Sequence, residues 1–182
     1  MDENPCPSLP KPENMARAAN RLRQQLRPDD PTDLAFEISE ENIPSGFLKA
    51  NISSSGKRHL VFATRQQLHQ LARAKNWYVD GTFKLCQQPF SQLFMINAFV
   101  QSGEQAKQVP LVFVLMSGKR KRDHRAVLQE VLSLLPSPPE VTKVTLDFES
   151  AGWKVFWELM PDVTSSRLKV ACSTGLKRCG ER

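Results

Sequence analysis

Two aspartates stand in stretches that read as strands. Asp80 lies inside Trp77-Tyr78-Val79-Asp80-Gly81-Thr82-Phe83, and Asp147 follows Val144-Thr145-Leu146 and precedes Phe148-Glu149. Aspartate is depleted in strands, so each position asks for a reason. One reason is metal chemistry. Two carboxylates converging on one sheet edge repel each other, and shared divalent cations neutralise that repulsion. Two such ions, roughly 3.5–4 Å apart, steady both the attacking and the leaving oxygen of an in-line phosphoryl displacement. The other reason is local: Asp80 opens an Asp80-Gly81 turn, Asp147 caps the following helix, and Glu149 is a first-turn carboxylate favoured by the helix dipole. Spacing alone leaves both readings open.

A second feature is the run Lys119-Arg120-Lys121-Arg122-Asp123-His124-Arg125. Lys119, Arg120, Lys121, Arg122 and Arg125 are candidate phosphate contacts, whose contribution falls as salt rises, or a nuclear import signal; the plain alternative is a solvated loop. The whole chain carries 25 Lys and Arg against 19 Asp and Glu, a net charge of +6, which favours a polyanionic partner such as DNA. His59, His69 and His124 have no partners at metal-ligand spacing, and the cysteines at 6, 86, 172 and 179 are too scattered for a zinc knuckle or a disulfide framework, so they read as free thiols. Trp153, Phe156 and Trp157 form a helical stripe expected to be core rather than a stacking platform for bases.

The elements that must position these residues follow from periodicity. Four prolines in residues 1–12 predict a disordered leader. Met15, Ala19, Leu22 and Leu26 recur at helical spacing, so Glu13 to Leu26 reads as a basic amphipathic helix. Residues 32–57 hold no sustained period and read as a connecting segment, which with the helix makes a 13–57 linker region. His59 to Ala63 then reads as a strand, and Thr64 as the cap of a helix running to Lys75. Three strands follow as an antiparallel meander: Trp77 to Phe83, Leu93 to Val100 and Val109 to Met116. A helix from about Asp123 to Leu135, a strand from Val141 to Phe148 and a helix ending at Pro161 complete the order βββαβα. Leu168 to Cys172 is a further strand candidate before a basic tail over 166–182. This pattern predicts an α/β class with a mixed sheet and helices on its faces.

Length and composition bound the function classes. A chain of 182 residues allows one modest core. Its longest apolar runs fall far short of the ~20 residues needed to cross a bilayer, so no membrane partner is expected. Asp2 and Glu3 follow Met1 in place of a basic residue and an apolar run, which predicts no secretion and a nuclear or cytoplasmic location.

The stretch from Ala63 to Asp162, carrying Trp77 to Phe83 and Leu146-Asp147-Phe148-Glu149, resembles the transposase domain of Mutator-like elements, a family of DDE transposases. The resemblance implies a ribonuclease-H-like fold over about 58–165, incomplete at the C-terminus. In that fold the first acid sits on the first strand of the meander and the second ends the fourth. It implies that Asp80 and Asp147 are catalytic metal ligands for Mg²⁺ or Mn²⁺ in DNA strand cleavage and transfer. It also implies a third acid on a later helix, preceded by a Cys-x-x-His element. Neither has a counterpart after Asp147, where the acids are Glu149, Glu158, Asp162 and Glu181. With two ligands of three, weak or absent metal binding and low or absent turnover are expected. The alternative is a non-catalytic nucleic-acid or chromatin interaction module.

Overall fold

The computed structural model of the chain describes residues 12–25, 31–82, 85–103, 105–146 and 150–167. It divides into two units, Met1–Pro31 and Thr32–Arg182. The first contains α1 (Pro12–Gln25). Its side chains from 13 to 23 are exposed, Met15 and Leu22 included. Alanine, arginine, leucine and glutamine make it a helix by intrinsic propensity.

Among its described residues the second unit is a seven-stranded mixed sheet with three α-helices and a 3-10 turn at Glu40–Asn42. In chain order its elements are β1 (Leu48–Ser54), β2 (Lys57–Phe62), α2 (Arg65–Arg73), β3 (Asn76–Thr82), β4 (Gln92–Ser102), β5 (Gln105–Met116), α3 (Lys121–Leu134), β6 (Lys143–Leu146), α4 (Ser150–Leu159) and β7 (Thr164–Arg167). The strands lie in the order β1-β2-β5-β4-β3-β6-β7. The meander β3-β4-β5 is antiparallel, as its hairpin spacing predicts, whereas β6 lies parallel to β3 and β7 parallel to β6. Helices α3 and α4 supply the crossovers that parallel pairing requires.

Two stretches depart from the expectation: Thr164–Arg167, across the start of the expected 166–182 tail, is strand β7, and the region before β2 also differs. The segment over 32–57 is not only a connector, because it contains β1 and the first residue of β2. Ser55 (φ 50°) and Gly56 (φ 69°) both take the left-handed conformation, which suits the two-residue turn joining twisted antiparallel strands. The serine run that reads as a linker is the end of a strand and its turn. The compact unit accordingly begins at Thr32.

The two faces of the sheet differ. Paired residues share a face, and alternate residues along each strand return to it. Trp77, Val79, Phe94, Ile96, Val112, Val114, Val61, Val144 and Leu146 all fall on one face and all belong to one buried cluster. Leu68 and Leu71 of α2, Val127, Leu128 and Val131 of α3, and Val155 and Phe156 of α4 join the same cluster. The helices expected on both faces therefore pack, among the described residues, on one. On the other face Phe47 covers Phe62 and Phe113 at ring-centroid distances of 5.6 and 6.3 Å. Toward β4 and β3 that face carries half-buried or exposed Met95, Asn97, Phe99, Tyr78 and Asp80.

Local signals place the helices. Thr64 accepts a hydrogen bond from the Gln67 backbone N–H while the Gln67 side chain accepts one from Thr64 N–H, a complete capping box. Trp77, fully buried, donates its indole N–H to the Leu71 carbonyl at 3.1 Å, which ties the end of α2 to β3. The helix expected from about Asp123 starts two residues earlier, and Asp123 occupies its third position.

Candidate functional site

Asp80 sits inside the ladder, opposite Met95 of β4, and Gly81 pairs with Phe94. The turn alternative for Asp80-Gly81 is thus overturned: both residues are central-strand residues. Asp80 is half-buried on the face away from the helices, and the Thr82 hydroxyl donates to its Oδ2 at 3.5 Å. A carboxylate in mid-strand with one long, weak hydrogen bond keeps most of its lone pairs available for a cation or for water.

Strand β6 is the parallel neighbour of β3, with Trp77 opposite Val144, Tyr78 opposite Thr145 and Val79 opposite Leu146. Val79 is followed in sequence by Asp80, and Leu146 by Asp147. Asp147, Phe148 and Glu149 themselves lie outside the described residues, as do Leu168 to Cys172 and the three cysteines other than Cys86. Among the described residues no three His, Cys, Asp or Glu side chains are grouped so as to hold a metal ion. Cys86 is an unpaired thiol whose pKa is pushed up by burial.

The basic run has a structural side that its charge does not reveal. Lys121 and Arg125 both pair with Glu158 of α4, joining the two helices, and the hydrogen bond from Lys121 is the main cause that holds the Glu158 carboxyl below its ordinary range. Lys119, Arg120, Lys121 and Arg122 are exposed, and Arg125 is half-buried. Arg120 is the residue at the helix cap; having no side-chain acceptor, it leaves the cap to Asp123, whose Oδ2 accepts the Arg120 backbone N–H at 2.8 Å. Of the five cations singled out, two are committed to a helix–helix contact.

A buried polar cluster lies beneath the start of α3, and no residue spacing signals it. His59 of β2, Met116 of β5 and Gln92 of β4 pair in one row across the sheet, all fully buried. Gln92 Nε2 approaches the Met116 sulfur at 3.1 Å. His59 Nε2 stands 3.9 Å from Asp123 Oδ1, both side chains essentially without solvent contact. Burial is the chief cause that lowers the His59 pKa; Asp123 raises it, while His124 and Lys57 lower it further. Gly118 is required here, because a Cβ at that position would lie 2.4 Å from Asp123 Oδ2. His69, by contrast, is exposed on α2 as its helical position predicts, and Phe156 is core, whereas Trp157 of the same stripe is 67% exposed. The Trp153 side chain lies outside the described residues.

No helix among the described residues is long and apolar enough to cross a membrane. No protein-family model, no curated protein and no solved structure matches the chain.

Proposed function

We propose that the chain carries a ribonuclease-H-like domain of the Mutator-like-element transposase type, whose ancestral chemistry is metal-dependent cleavage and transfer of DNA strands. The observation that supports this reading is the pairing of β3 with β6. The strand bearing Asp80 has as its parallel neighbour the strand whose last described residue precedes Asp147, beside an antiparallel meander built on β3. A mid-strand carboxylate on a sheet face free of described helices has no evident folding role, and its oxygens are the hard donors that Mg²⁺ or Mn²⁺ takes.

Asp80 and Asp147 would hold the metal, which when bound polarises a phosphodiester oxygen. Asp80 supplies charge from a paired strand, with the Thr82 hydroxyl 3.5 Å from one of its oxygens. The basic run at the start of α3 supplies phosphate contacts through Lys119, Arg120 and Arg122, with Lys121 and Arg125 shared with Glu158. Two carboxylates alone hold a divalent ion weakly, so slow or absent turnover is the expected behaviour of these 182 residues by themselves.

The test is to titrate DNA and Mn²⁺ against the purified chain and its Asp80→Asn variant. Weak Mn²⁺ binding that the variant loses, without robust cleavage, is the expected result. Robust cleavage abolished by Asp80→Ala would overturn the inactivity. DNA affinity that responds neither to Mg²⁺ nor to Asp80→Asn would replace the metal reading with a non-catalytic nucleic-acid or chromatin module.

A further inference from the structure

We propose that the sheet face beside Asp80 is a stacking platform for unpaired DNA bases, with Phe99 as the ring that receives the base and Tyr78 as its support. The proposal rests on the phosphodiester reading above and specifies the form of the substrate.

Among the described residues, Phe99 is the one large apolar side chain more than half exposed within a strand, at 51%. Its ring is not loose: the Tyr78 ring meets it edge to face, with centroids 5.3 Å apart and planes at 83°. The Tyr78 main chain is held in turn, since the Asn97 amide donates to its backbone carbonyl at 3.1 Å, and the edge-to-face contact restrains both rings. A rigid aromatic pair receives a flat ligand with little loss of side-chain entropy.

Placement gives the pair its direction. Tyr78 and Asp80 are two residues apart on one strand and so on one face, about 6.6 Å from each other along β3. Phe99 lies four residues along β4 from Met95, the partner of Asp80, or about 13 Å, so a base seated on Phe99 sits about two nucleotides from the carboxylate.

The surroundings favour a nucleotide over an apolar protein surface. Asn76 and Lys143 face each other across β3 and β6 on this side of the sheet, and Gln108 of β5 is paired with Phe99. All three are exposed. An apolar partner would strip water from two amides and an ammonium without replacing their hydrogen bonds, which is costly. A nucleotide meets each group: its π-face covers Phe99, its base edge serves the amides, and its phosphate pairs with Lys143. In a duplex the π-faces are already stacked on neighbouring bases, so only unpaired nucleotides can use this surface.

The experiment compares the intact chain with Phe99→Ala, Phe99→Trp and Lys143→Gln by fluorescence anisotropy on oligo-thymidine and on a duplex of equal length. Phe99→Ala weakens single-strand binding about tenfold, Phe99→Trp restores it, and duplex affinity stays within about twofold. Lys143→Gln lowers the salt slope for the single strand by about one. An unchanged thermal melt of Phe99→Ala secures the comparison. Single-strand affinity unmoved by Phe99→Ala, an equal loss on single strand and duplex, or no single-strand binding by the unaltered chain would overturn the platform. Asp80→Asn with Mn²⁺ in the same titration separates the two readings: a Phe99 effect without metal dependence removes only the metal, and the reverse removes only the platform.

Discussion

Three residues carry consequences out of proportion to their size. Gly118 leaves room for Asp123, and the missing methyl would overlap the oxygen that caps α3. Gly118→Ala is expected to cost about 2 kcal/mol in urea unfolding, from overpacking and a disturbed cap. The same substitution in an Asp123→Ser background should cost clearly less, because the two sites share one contact. Arg58 donates to the carbonyls of Leu34 and Phe36 at 2.8 and 2.6 Å, binds Asn51 Oδ1 at 2.9 Å and lies 4.5 Å over the Phe36 ring. Lysine cannot reproduce that fork, so Arg58→Lys should destabilise by about 2 kcal/mol, nearly as much as Arg58→Ala. His59 sets a pH dependence. Its pKa is lower folded than unfolded, so the unfolded chain takes up the proton first as pH falls through 6.5. The stability that neutral His59 provides is full above 6.5 and declines below it until the folded imidazole also titrates. Urea midpoints measured between pH 8 and pH 5 should fall for the natural chain and fall less for His59→Met.

At the scale of elements, short-range chemistry explains where helices begin and pairing explains where strands lie. The capping box of α2 is complete within four residues, so Thr64→Ala is expected to cost about 1 kcal/mol, read from the shift in unfolding midpoint. Alternation marked β3, β4 and β5, and the helical stripe marked α3, because each buries one side into a common cluster. Strand β1 escaped the same reading. It is an edge strand with small and polar residues, in which Ala50 and Ile52 alternate with exposed Asn51 and Ser53, a pattern too weak to separate from a linker without its partner β2.

For the whole molecule, the balance between fold and charge sits at Glu158. This one carboxylate holds Lys121 and Arg125 and ties α4 to α3. Glu158→Gln should release both cations, tighten DNA binding and steepen its salt slope by up to about two, measured by anisotropy over a salt series. An unchanged slope would mean that these two side chains never meet phosphate. The exposed ion pairs themselves should add little to stability, so a nearly unchanged melt is expected alongside.

The order of the elements from β2 to α4, the three-strand meander, the capping of α2 and the oddity of Asp80 were legible in the sequence, because each depends on residues within a few positions of one another. What required the tertiary structure was everything that joins distant segments. Parallel pairing of β3 with β6 brings together residues 67 positions apart. The burial of His59 against Asp123, the sharing of Glu158 by two members of the basic run, and the choice of one sheet face for α2, α3 and α4 have no local signature, since each is decided by which surfaces meet when the core closes.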